Sequence, residues 1–379
     1  DISSAGAITQ TGALNVAGTT TLAAGTANDI TLNTATNNFS TVVIASGGDV
    51  SLRDSNALVV GAATVSNSLA LTAGGNITQT GAINAPSLSA KTLLNAGAAI
   101  TLNNAGNEVS TVDLRSRNAA DSANAAGAIT YTDASALNIA AAQSTSTVTL
   151  IAGDAITQSG AITTSTLSAT TRNNAGAAIT LNNSANNAAT INLQVLDLAG
   201  TANAAADIAY TDSNAVVISG INNGTGVAGN VTLAAGGAVT QSGAVNAGSF
   251  SATLTGAASS LTLGNAGNNI AQLSTITTPG GFTLDNGNNA VNIGATIGTT
   301  NTGVSIASGT AATTFAAAGA IVSGGGNVVL SNTNAGKVLG NIDTTGGAAT
   351  GNLTITGAGT ISQQAGTSLK IKGATAIAA

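Results

Sequence analysis

Three carboxylates stand at one fixed spacing. Asp54, Asp133 and Asp212 are 79 residues apart in both steps, inside the related phrases VSLRDSNALVV from Val50, ITYTDASALNI from Ile129 and IAYTDSNAVVI from Ile208. Carboxylate pairs can hold a metal ion or act as acid and base in hydrolysis, but hydrolytic pairs need roughly 5 to 9.5 Å between them. In a stacked fold with about 20 residues per coil, these copies lie about four coils, or roughly 19 Å, apart. Each Asp is followed by Ser or Ala and then by Asn or Ser, the pattern of a side-chain-capped turn. A turn cap is therefore the expected role of all three.

Other candidates are few. Asp113, Arg115 and Arg117 form a small charge cluster in VDLRSRNAADSANAA, a segment longer than its counterparts. It is expected to be a protruding loop with local ion pairs, and an exposed loop on a rigid scaffold is where binding would sit. Tyr131 and Tyr210 are matched by Leu52 and Leu284 in the sister phrases, which implies packing against the interior; stacking on carbohydrate is the alternative. Glu108 and the scattered Asp residues assemble no catalytic set. The chain has no His and no Cys, which removes the commonest general base, the commonest metal ligands and any disulfide framework. No catalytic, cofactor or metal residues are assigned, and the expectation is a protein that is not an enzyme.

Composition narrows the partners. Charged residues are 6% of the 379, where about 25% is usual, and the net charge is −6. No basic cluster suits a phosphate backbone, so nucleic acid is not an expected partner. Thr, Ser, Asn and Gly interrupt every apolar run well before the roughly 18 to 20 residues of a membrane helix, so no membrane insertion is expected. Hydrophobic residues at 43% and a mean hydropathy of +0.34 oppose disorder. The chain has no Met and starts at Asp1 without a signal peptide, which suggests a processed product or part of something longer.

The elements that must position these side chains are repeats. GAITQTGAL at 6 to 14, GNITQTGAI at 75 to 83, GDAITQSGAI at 153 to 162 and GAVTQSGAV at 237 to 245 open with apolar residues 69, 79 and 83 positions apart; a fainter GAIVSGG from Gly319 adds 82. FTLDNGNNAVNI from Phe282 is a looser copy of the aspartate phrase, and AGAAITLNN occurs at 96 to 104 and at 175 to 183. The super-repeats run approximately 1–74, 75–152, 153–236, 237–318 and, degenerate, 319–379. Within them, triplets such as Ile30-Thr31-Leu32 and Ile100-Thr101-Leu102 alternate with β-branched residues, the pattern of strands. Gly, Asn, Asp and Ser punctuate them about every ten residues.

Short strands, even turns and a long period predict an all-β fold without helix: a right-handed parallel β-helix, or β-solenoid, of about 20 residues per coil, forming one elongated domain over 1–379. About 19 coils would give a rod on the order of 90 Å. In GNITQTGAI, Ile77 should point inward, Thr78 outward and Gln79 into a corner where its amide bonds turn backbone, with Gly81 letting the chain turn. The Asn pairs at 37 and 38, 103 and 104, 173 and 174, 182 and 183, and 288 and 289 suggest stacked amide ladders.

LTAGGNITQTGAI at 71 to 83 and VTLAAGGAVTQSGAV at 231 to 245 resemble the repeat language of filamentous haemagglutinin-type exoproteins of bacterial two-partner secretion and related β-strand-repeat adhesins. The resemblance covers nearly the whole chain through repeat style. It implies a right-handed β-helix shaft, export across two membranes, a cell-surface or released state, and roles in adhesion, biofilm or contact. The secretion domain with its Asn-Pro motifs and a toxin-like carboxy-terminal domain are not found.

The leading functional expectation is an extracellular or cell-surface rod or fibre segment. Its partners would be further copies of itself, end to end or laterally, or glycans and proteins of host or neighbouring cells. An ice-binding solenoid is the alternative, opposed by outward Thr residues that are mostly single within a strand. A polysaccharide-degrading β-helix enzyme ranks third.

Overall fold

Alternation decides each strand. In Ile100–Leu102, Ile179–Leu181 and Leu261–Leu263 the two apolar side chains are buried and the Thr between them faces out, as period-two geometry requires. The computed structural model describes residues 1–224 and 229–378. Among these residues there are thirty-nine strands and no helix, so none is long and apolar enough to cross a membrane. The pairings between strands are parallel, and each continuous ladder stacks Ile, Val and Leu in its interior, as in Ile30, Val50 and Leu69 on successive rungs. The fold is a β-solenoid with about 22 residues per turn, and the expected all-β, helix-free architecture holds.

The described residues divide into two units: Asp1–Asn173 with Ala185–Ala188, and Asn174–Ser184 with the chain from Ala189 on. In the first unit each strand pairs with the second strand after it, giving two strands per turn, and the long strands Leu58–Val65 and Leu137–Gln143 also reach the third after, Ile83–Leu93 and Ile162–Arg172. The four ITQ-type phrases form strands Ile8–Thr9, Ile77–Gln79, Ile156–Gln158 and Val239–Gln241, which are the second, ninth, sixteenth and twenty-third in the chain. A super-repeat is thus seven strands, or three and a half turns. Seven successive pairings join Ile8–Thr9 to Ile156–Gln158 in one ladder, while Ile77–Gln79 lies in the other.

This corrects the spacing expected from sequence. A turn takes about 22 residues instead of about 20, which reduces the number of turns from about 19 to about 17. Consecutive copies alternate between ladders instead of standing four coils apart in one. The segment around residues 118–128 contributes one long turn, stretching the step from Ile100 to its rung partner Ile129 to 29 residues, against 19 from Ile129 to Val148.

The second unit keeps the two-strand turn up to Asn269–Thr278 and then changes. From there each strand pairs with the third after it, as in Phe282–Asp285 with Val304–Ala307 and then Val328–Ser331, giving three strands per turn. The faint fifth phrase falls in this region, on strand Ala320–Val322, nine strands beyond Val239–Gln241. It does not keep the seven-strand period.

One outward column of the first unit is chemically uniform. Thr19, Thr41, Val59, Thr78, Thr101, Thr130, Thr149 and Ser168 stack in register on eight successive rungs, with a hydroxyl on every rung but Val59.

Candidate functional site

The recurring Gln of the ITQ phrase meets an Asn one turn later. Gln79 Nε2 donates to Asn107 Oδ1 at 2.8 Å, and Asn107 Nδ2 donates back to Gln79 Oε1 at 3.0 Å. Gln79 also donates to the Gly81 carbonyl at 2.7 Å, and Asn107 Oδ1 accepts the Ile83 N–H at 2.9 Å. The remaining Asn107 proton serves the Leu102 and Thr132 carbonyls. Gln10 with Asn37, Gln158 with Asn186 and Gln241 with Asn268 repeat the same reciprocal pair. All four Asn side chains are buried.

The expectation for Gln79 is met. Of the Asn pairs, Asn37 belongs to a reciprocal amide pair, and Asn38 accepts from the Asn56 amide on the next turn at 2.9 Å. Asn104 caps the Gly106 N–H and Asn174 caps the Leu198 N–H, as turn residues do. The missed residues are Asn107, Asn186 and Asn268. Their signal was the Asn five positions after the closing Leu of Leu102, Leu181 and Leu263. Gly81 also differs from expectation: it has no left-handed backbone, and a Cβ there would lie 2.4 Å from the Ala62 nitrogen on the preceding turn. Close approach requires this glycine, not turn conformation.

The three aspartates are buried turn caps. Asp54 accepts the Phe39 N–H at 2.7 Å and the Asn56 N–H at 2.8 Å; Asp133 accepts from Val109 and Ser135 N–H in the same way. Asp212 caps Asn214. The Tyr131 hydroxyl donates to Asp133 at 2.9 Å and that of Tyr210 to Asp212 at 2.7 Å. Desolvation first, and the adjacent carboxylate second, push both phenol pKa values far above the usual 10. With the rings buried, Tyr131 and Tyr210 pack in the interior and offer no carbohydrate platform. Among the described residues no three His, Cys, Asp or Glu side chains converge as a metal ligand set. Glu108 is exposed at the start of Glu108–Arg117.

Five charged side chains gather on one face. Strand Ile83–Leu93 pairs with Glu108–Arg117 so that Ser89 sits beside Asp113, Lys91 beside Arg115 and Leu93 beside Arg117. Ser89, Lys91, Asp113, Arg115, Arg117 and Asp121 line an open polar hollow of about 380 Å³. Asp113 docks on the Arg115 fork through Nε at 2.5 Å and Nη2 at 2.9 Å. Lys91 Nζ reaches Asp121 at 2.6 Å, and Arg117 Nε reaches it at 3.0 Å. The Lys91 hydrogen bond, helped by Arg117, holds the Asp121 carboxyl below the ordinary carboxylate range, while the Asp113 bond raises the already high Arg115 value. Local ion pairs were expected on a protruding loop; instead Asp113, Arg115 and Arg117 lie on strand Glu108–Arg117 and Asp121 alone on the loop, and Lys91 was not expected, because only strand register brings it there. An antiparallel bridge between Arg117 and Asn124 closes the loop, and the corresponding loop one repeat later is closed by Leu196 and Asn203.

A family model described as repeats of unknown function (DUF5649) matches residues 1–46, 47–114, 126–195 and 205–277. The last three matches start 79 residues apart, in a different frame from 75–152 and 153–236 but with the same period. The gaps at 115–125 and 196–204 fall on the two bridged loops, and the last match ends where the turn changes from two strands to three. No curated protein and no solved structure matches the chain. With more than half of its length covered, the chain belongs to the DUF5649 family of repeats of unknown function.

Proposed function

We propose that this chain is an extracellular or cell-surface structural segment, the repeat shaft of a filamentous haemagglutinin-type adhesin. Its task is to hold a stiff stack of turns and present outward faces to glycans or proteins of other cells, or to further copies of itself. One observation carries this reading: the polar residues that the repeat keeps restating, Gln79 with Asn107 and Asp133 with Tyr131, are turned inward and bonded within the scaffold. The repeat restates a corner, not a reaction centre. Negative-stain images of the purified chain, paired with adhesion of bacterial and animal cells to a coated surface, test it. Elongated particles that retain cells are expected; compact particles on a surface that retains none would overturn it.

A second reading has one observation in its favour. Apart from Val59, the eight-rung column from Thr19 to Ser168 spaces hydroxyls at about 4.8 Å, an array able to order water at an ice surface. Thermal hysteresis in a dilute solution is its test, and an unaltered freezing point removes it.

A further inference from the structure

The charged hollow is chemically unlike its own copy. One super-repeat beyond Lys91, Asp113, Arg115 and Arg117 stand Thr170, Asn192, Gln194 and Leu196, all uncharged. The second loop is built the same way without those charges: Asp197 accepts the Thr201 and Ala202 N–H groups, where Asn118 accepts those of Ser122 and Ala123 in the first. Gln194 donates to Asn192 at 2.6 Å, in place of Arg115 to Asp113. Loop folding therefore does not demand the ion cluster.

The cluster is part of a longer cationic row. Arg53, Thr72, Lys91 and Arg115 occupy successive outward rungs of one ladder. With Arg117, this face holds four of the chain's eight Lys and Arg residues. The Arg53 side chain has no hydrogen-bond or ion-pair partner among the described residues, and it lines a second hollow of about 200 Å³ with Asp54, Leu93 and Ala119. Lys91 and Arg115 each have N–H donors beyond those engaged by Asp121 and Asp113.

We propose that this face binds an acidic polysaccharide whose sugars each carry one carboxylate, a polyuronate lying along the ladder. Arg forks and a Lys suit carboxylates. Asp113 and Asp121 accept hydrogen bonds from sugar hydroxyls, and their charges repel densely anionic chains such as polyphosphate or nucleic acid. Rungs about 4.8 Å apart step at close to the length of one sugar unit. The inference rests on the adhesive reading and gives it a ligand class.

Calorimetry at low ionic strength with oligogalacturonate as the probe tests the proposal, with a maltooligosaccharide and polyphosphate as comparison ligands. The full chain is expected to bind the uronate and not the neutral sugar, and to weaken as salt rises. Replacing Lys91→Thr, Asp113→Asn and Arg115→Gln together installs the uncharged residues that the next copy has at these three positions and should weaken binding about tenfold or more. Arg53→Gln, which breaks no side-chain hydrogen bond or ion pair, should weaken it severalfold even if the triple variant does not fold. Absence of uronate binding, undiminished binding in a folded triple variant, or preference for polyphosphate would overturn the inference. Cell adhesion that persists without uronate binding would refute this ligand while leaving the adhesive role standing.

Discussion

Gln79 and Asn107, 28 residues apart, exchange two amide hydrogen bonds across one turn at 2.8 and 3.0 Å. Asn107 is fully buried, and its side chain also satisfies the Ile83 N–H. Asn107→Ala leaves those donors and acceptors unpaired at roughly 1–3 kcal/mol each, so urea denaturation should show a loss of about 3 kcal/mol or more. Asn103→Ala, at an exposed member of an Asn doublet, should stay within about 0.5 kcal/mol. Equal effects at the two positions would refute the assignment.

The same glycine in two copies of one phrase should respond differently. A Cβ on Gly81 would meet the Ala62 backbone at 2.4 and 2.8 Å, whereas a Cβ on Gly12 would meet nothing within 4 Å. Gly81→Ala is expected to destabilise by about 1–3 kcal/mol, as overpacking does. Gly12→Ala should be close to neutral in the same thermal melt.

Tyr131 and Tyr210 are the chain's two tyrosines, so their ionisation is readable by ultraviolet absorption. Both phenol pKa values are raised above 10 by burial and by Asp133 and Asp212. A raised folded value means that the stabilisation is fully present below the ordinary phenol pKa and is lost as pH climbs beyond it. Phenolate absorbance should therefore appear only together with loss of the far-ultraviolet strand signal. A smooth two-tyrosine titration near pH 10 in folded protein would contradict the buried placement.

Period-two alternation made the strands and the inward set of Ile30, Val50 and Leu69 legible in the sequence, because a half-buried strand writes its faces into successive letters. The Asx role of Asp54, Asp133 and Asp212 was legible because a turn cap is local. Asn107 was obscured because its partner Gln79 is a full turn away. Lys91 was invisible for the same reason: its meeting with Asp121 depends on register across two strands and a loop, which no local pattern encodes. Turn length was underestimated because loop residues, such as those that lengthen the step from Ile100 to Ile129, lie outside the strand pattern.

The central claim is that successive turns stack in the register described, and the absence of Cys makes it directly testable by cross-linking. Thr101 and Thr130 are rung partners, and Thr149 lies one rung further. Parallel partners about 4.8 Å apart are within disulfide reach, whereas a two-rung separation of about 9.6 Å is not. Mild oxidation of Thr101→Cys with Thr130→Cys should close a disulfide, seen as a loss of both free thiols by mass spectrometry, while Thr101→Cys with Thr149→Cys should stay reduced. A disulfide in the second pair, or none in the first, would contradict the stacked-turn account.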